Sequence, residues 1–124
     1  AQRYPHSRLL RELSGALKAF QEDLTAAGLS DRVVTMCFSE FGRRVQENGS
    51  AGTDHGTAGP VFLAGTRLRA GLRGKTPLLS DLDKGDLRHN VDFRSVYAAL
   101  LETWLGISST KVLGGKFPQL SLFS

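Results

Sequence analysis

The chain has 124 residues, with sixteen Lys and Arg against twelve Asp and Glu, and none of its apolar runs approaches the roughly 20 residues that a membrane span requires. With 40% hydrophobic and 23% charged residues it is expected to fold as a single soluble domain over residues 1–124, which excludes wholesale disorder and a multi-domain enzyme. The single cysteine, Cys37, excludes an internal disulfide framework and a multi-cysteine zinc cage.

The N-terminal run AQRYPH lacks the apolar core of a signal peptide. Residues 8–27 then read as an amphipathic helix. Leu10, Leu13, Leu17, Phe20 and Leu24 recur three and four apart opposite Arg11, Lys18, Gln21 and Glu22, and Gly28 fits the C-terminal cap. After Ser30-Asp31 the run Val33–Phe38 shows no polar alternation, which predicts a central parallel strand covered on both faces. Cys37 inside it reads as a small buried hydrophobe, because burial suppresses the thiolate. A helix, a turn and a buried strand make half of an α/β repeat, whose ligands sit beyond the carboxyl ends of the strands.

Beyond Phe38 come Ser39-Glu40-Phe41-Gly42-Arg43-Arg44, a polar, glycine-rich loop to Gly59 and a second apolar run, Pro60–Ala64, read as another strand. Eight of the 14 glycines fall between Gly42 and Gly74, so this segment needs unusual backbone or close approach. Leu68–Arg88 reads as a covering loop. Asp92 is placed to cap a last helix, Phe93–Leu105, with Phe93, Val96, Tyr97, Leu100, Leu101 and Trp104 as its buried stripe and Gly106 as its stop. The tail Ile107–Ser124 reads as irregular.

Two clusters could carry chemistry: Ser39–Arg43 at a strand end, and Gly52-Thr53-Asp54-His55-Gly56 some way on. A carboxylate and an imidazole gathered by a loop suit a divalent ion such as zinc or manganese, and Asp54 could equally orient His55 from behind. Glu40 could join them or pair with Arg43. Arg43 could hold a sulfate or phosphate oxygen, and Asn48 could contact substrate or close its own turn. Eleven of the sixteen basic residues are arginine, the better bidentate partner of such oxygens. His6 and His89 read as surface residues. Arg67, Arg69, Arg73 and Lys75 lie close together but lack interleaved aromatics, so no nucleic-acid partner is expected.

The run Val33–Gly65, VVTMCFSEFGRRVQENGSAGTDHGTAGPVFLAG, together with VYAALLETWLG near the end, resembles the signature of the bacterial domain-of-unknown-function 1501 family, grouped by similarity with the alkaline phosphatase and sulfatase superfamily. The resemblance spans almost the whole chain but only the C-terminal part of such proteins. It implies an α/β fold, part of a three-layer alkaline-phosphatase-like or sulfatase-like architecture of parallel strands with flanking helices. The parent it implies is a metal-dependent hydrolase of phosphoric or sulfuric esters using zinc, manganese or calcium, and export is implied for full-length relatives. In one alignment Glu40 and Phe41 occupy the strand-end aspartate and histidine places and His55 a later histidine. In the other, Asp54-His55-Gly56 lies directly on the D-H-G motif. The first is favoured, because a strand end places the ligands.

His55, Asp54 and Glu40 are therefore the candidate metal ligands, and Arg43 and Asn48 the candidate substrate contacts. No catalytic nucleophile is expected within the chain, which alone is expected to be inactive. Its implied partners are a small anionic ester and the remainder of the parent chain or another subunit. The rival expectation is a non-catalytic binding or assembly module with a decayed metal site, motivated by Phe41 in a ligand place.

Overall fold

A computed structural model describes residues 3–124; Ala1 and Gln2, the start of the polar N-terminal run, lie outside the described residues. The backbone divides into two compact units, Ala1–Thr66 with Leu78–Arg88, and Arg67–Pro77 with His89–Ser124. Among the described residues no helix is long and apolar enough to cross a membrane.

The first unit opens with α1 (Arg3–Ala26), which starts earlier than its apolar periodicity predicts. Gly28, at φ +69°, ends it as expected: Gly28 N donates to Thr25 O and Leu29 N to Leu24 O, the paired closure that needs a left-handed residue. Of the predicted stripe only Leu24 is buried, while Leu10, Leu13 and Phe20 stay 40–46% exposed. A single turn, Ser30–Arg32, leads into β1 (Thr35–Cys37).

β1 corrects the expectation of parallel strands. It pairs antiparallel with β4 (Phe62–Ala64), in the register Thr35 with Ala64 and Cys37 with Phe62. Parallel pairing needs a crossover, usually helical. Here the intervening chain folds instead as a polar hairpin, so the strand returns alongside in the opposite direction. Nor is β1 central or fully covered. Cys37 is half-buried and Phe38 is 59% exposed.

The hairpin joins β2 (Gly42–Glu47) to β3 (Thr53–Gly56), with Gly42 opposite Gly56, Arg43 opposite His55 and an irregularity before Glu47–Thr53. A second, two-residue hairpin links β5 (Leu82–Asp83) to β6 (Asp86–Leu87). Lys84 and Gly85 at its tip have φ of +51° and +89°, the pair of left-handed residues that matches the twist of the strands. Both hairpins lie within the predicted loops. Thr57 Oγ1 donates to Leu87 O, and Arg44 reaches Lys84 O and Asp86, tying the hairpins together.

The second unit is built on α2 (Phe93–Ala99), which runs without a break into a π-helical turn, Leu100–Trp104, and stops at Gly106, φ +66°. Of the predicted stripe, Val96 is buried and Tyr97, Leu100, Leu101 and Trp104 are half-buried, but Phe93 is 58% exposed. Ser95, Ala98 and Ala99 are buried as well, since small side chains allow the closest approach of neighbouring backbone. The tail is also more ordered than expected. Ser109–Leu113 forms a short helix, α3, and Leu68 bridges Phe123 while Arg69 N donates to Leu122 O. Arg69 and Arg73 donate to Ser121, and Arg67 lies over the Trp104 ring, so these basic residues hold the tail in place.

Asp92 caps α2 as predicted, accepting from Arg94 N at 2.9 Å while the Arg94 guanidinium grips both its oxygens. That side-chain grip, followed by the backbone bond, lowers the Asp92 pKa from its ordinary 3.8 to about 2. A depressed carboxylate stabilises the fold above its unfolded-state value and loses that contribution as the pH falls through the folded one. Thermal melts are therefore expected to show stability declining between about pH 4 and 2, with that component absent in Asp92→Asn. A variant with an unchanged acid profile contradicts the assignment.

Candidate functional site

The β2–β3 hairpin carries four of the five candidate residues, and its polarity explains both its exposure and its form. Gly42 and Gly56 face each other at its open end, where the chain comes too close for a side chain. A Cβ on Gly42 would overlap the Ala58 carbonyl oxygen, and one on Gly56 would stand 2.9 Å from Asp86 Oδ1. At the tip, Asn48 N donates to Gly52 O, and Asn48 Oδ1 accepts from Ser50 N and Gly52 N at 3.0 and 3.1 Å. Asn48 Nδ2 donates to Asp54 Oδ1 at 2.8 Å. Both polar atoms of Asn48 are thus engaged inside the hairpin, in the turn-closing role.

Successive strand residues point to opposite faces, so Asp54 and His55 cannot aim at a common point from β3. Asp54 turns toward Asn48. His55 turns to the other face, where its ring stacks on Phe41 with centroids 3.6 Å apart and planes within 14°. Arg43, the cross-strand partner of His55, shares that face. Its guanidinium carbon lies 5.4 Å from the Phe41 centroid, and its Nη1 donates to Thr53 O at 2.8 Å. Glu40 lies just before β2, exposed, and forms no ion pair with Arg43 among the described residues. Arg44 goes the other way, its Nη2 donating to Lys84 O at 2.6 Å and its Nε 3.5 Å from the buried Asp86 Oδ1.

Among the described residues no group of three or more His, Cys, Asp or Glu is arranged to hold a metal ion. Glu40, Asp54 and His55 are therefore not gathered into one cage by this chain. What the hairpin does assemble is a cationic and aromatic face of Phe41, Arg43 and His55. Sequence reasoning missed this grouping because it took the chain after Arg44, as far as Gly59, as loop. Asn48-Gly49 between two short polar runs was the available hairpin signal. His6 and His89 are exposed, as expected.

The family model described as Protein of unknown function (DUF1501) matches residues 1–116. Neither a curated protein nor a solved structure matches the chain. With nearly the whole sequence covered by that one match, the chain belongs to the DUF1501 family.

Proposed function

We propose that this chain is the C-terminal part of a larger alkaline-phosphatase-like or sulfatase-like ester hydrolase, and that it contributes the hold on an anionic phosphoryl or sulfuryl group without turning it over alone. The observation that carries this reading is Arg43, exposed, without an ion pair to any carboxylate among the described residues and steadied by Thr53 O beside His55. A planar guanidinium fits two oxygens of such a group. The need for a larger body follows from packing. Among the described residues Leu24 is the one large apolar side chain buried in the first unit, while Leu10, Leu13, Phe20, Phe38 and Phe62 remain 40–59% exposed. Apolar faces this open invite cover, and the remainder of the parent chain or another subunit would supply it together with the three-layer setting.

The divalent ion that the family resemblance implies would supply Lewis-acid stabilisation of developing charge. As a three-donor set Glu40, Asp54 and His55 do not fit one, so its donors would come from the rest of the parent. This chain's own work is binding and orientation. With zinc, manganese or calcium added, it is expected to hydrolyse neither p-nitrophenyl phosphate nor p-nitrophenyl sulfate, whereas the longer parent is expected to show metal-dependent hydrolysis. Turnover by the short chain, or none by the parent, overturns the reading.

One observation favours the rival, a non-catalytic binding module. Phe41 covers a full face of the His55 imidazole in the place the resemblance gives to a ligand. Calorimetric zinc titration of the parent separates the two: only the hydrolase reading expects saturable uptake.

A further inference from the structure

We infer that Arg43 and His55, seated on the Phe41 ring, form a site for a tetrahedral oxyanion in which the imidazole donates to the anion instead of ligating a metal. This rests on the anion-holding role proposed above and adds His55 as second donor and Phe41 as positioning residue. Imidazole nitrogens carry their protons and lone pairs in the ring plane. A ring stacked face-on, with centroids 3.6 Å apart, therefore keeps its nitrogen edge clear of Phe41. Arg43 stands directly opposite on β2. Cross-strand partners have Cβ atoms about 4.5–5.5 Å apart, a span that one tetrahedral anion can bridge by accepting from both. With Nη1 occupied by Thr53 O, Nε and Nη2 of Arg43 remain to donate.

Of the acids on this hairpin, Glu47 pairs across from Thr53, two residues from His55, and forms no ion pair with Arg43 or His55 among the described residues. Asp54 is on the opposite side with Asn48, and Asp86, under the same opposite side, stands 3.5 Å from Arg44 Nε. Neither Arg43 nor His55 has a carboxylate within 4 Å among the described residues. A divalent cation wants anionic donors gathered at one point, whereas an oxyanion wants what is present, a guanidinium and an N–H with no ion pair to a carboxylate among the described residues. The Phe41 ring fixes the imidazole plane and takes part of the Arg43 charge over its edge or face, 5.4 Å from its centroid, so both donors are held before the ligand arrives.

The experiment is a titration of the chain with inorganic phosphate, inorganic sulfate and zinc, each alone, followed by NMR of the three imidazole side chains. His6 and His89 serve as internal controls. With phosphate, and with sulfate, the His55 ring signals are expected to shift saturably while those of His6 and His89 stay in place. Arg43→Gln should weaken phosphate binding about tenfold, the effect of losing a charge-assisted bond. Phe41→Leu, which keeps apolar bulk but removes the flat plate, should weaken it to a similar degree with the melting temperature held, and Phe41→Trp should restore it. Absence of a His55 response to either anion, or saturable zinc uptake at His55 that phosphate leaves untouched, overturns the site. Binding unchanged in Phe41→Leu overturns the positioning role. Phosphate seated at His55 with a parent that hydrolyses nothing sinks the hydrolase reading and supports the site; hydrolysis by the parent without phosphate at His55 does the reverse.

Discussion

Gly42→Ala is expected to destabilise the first unit by about 3 kcal/mol or more, the upper range for forcing atoms into an occupied space. The new methyl would overlap the Ala58 carbonyl oxygen, and that obstacle is backbone, not the movable end of a side chain. Relief requires parting β2 from the segment after β3, which breaks the pairing of Gly42 with Gly56 and carries the Arg43–His55 pair with it. Gly49→Ala in the tip of the same hairpin is the control. Its Cβ would meet nothing within 4 Å, so a change of no more than about 0.5 kcal/mol is expected. Urea unfolding of both variants checks the contrast, and equal effects would refute it.

Glu102→Ala is expected to cost about 1–3 kcal/mol in the second unit, through groups it leaves behind and not through its own burial. Glu102 Oε1 accepts from the Ser109 hydroxyl and Ser109 N, and Oε2 from Gln119 Nε2, so one carboxylate joins the π-helical turn, the start of α3 and the tail. Ser109 is only 2% exposed, and without Glu102 its hydroxyl loses its acceptor in a place water does not reach. Glu102→Gln keeps one acceptor and should lose less. Thermal unfolding of the pair reads this directly: an alanine variant as stable as wild type shows that the carboxylate does not hold the tail.

Where the sequence spoke through capping chemistry, it was legible. Gly28 ended α1, Asp92 began α2 and Gly106 ended the helix that α2 begins, since each of these residues answers a local demand of the backbone. The strands were legible only as segments. Val33–Phe38 and Pro60–Ala64 contain β1 and β4, but an uninterrupted apolar run does not say which way its neighbour points. Runs covered on both faces and runs awaiting cover look alike. The polar hairpin was illegible by hydrophobicity because Arg43, Val45, Gln46, Asp54 and His55 are all exposed, leaving neither face to alternate. The metal candidates failed to converge for a related reason. Asp54 and His55 were adjacent in sequence, and once their segment proved to be a strand, adjacency placed them on opposite sides.

The π-helical turn has a consequence for chain length. Leu105 N donates to Leu100 O, five residues back, so this stretch holds one more residue per turn than an ordinary α-helix. Removing a single residue there would let the helix run through regularly, and the fold would lose no hydrogen-bonded turn. Because the extra residue is taken up within that one turn, the side chains beyond the deletion would keep nearly their direction. A one-residue deletion between Leu101 and Trp104 is thus the length change this helix would absorb most gently, whereas the same deletion in the regular turns of α2 would swing everything after it by about 100°.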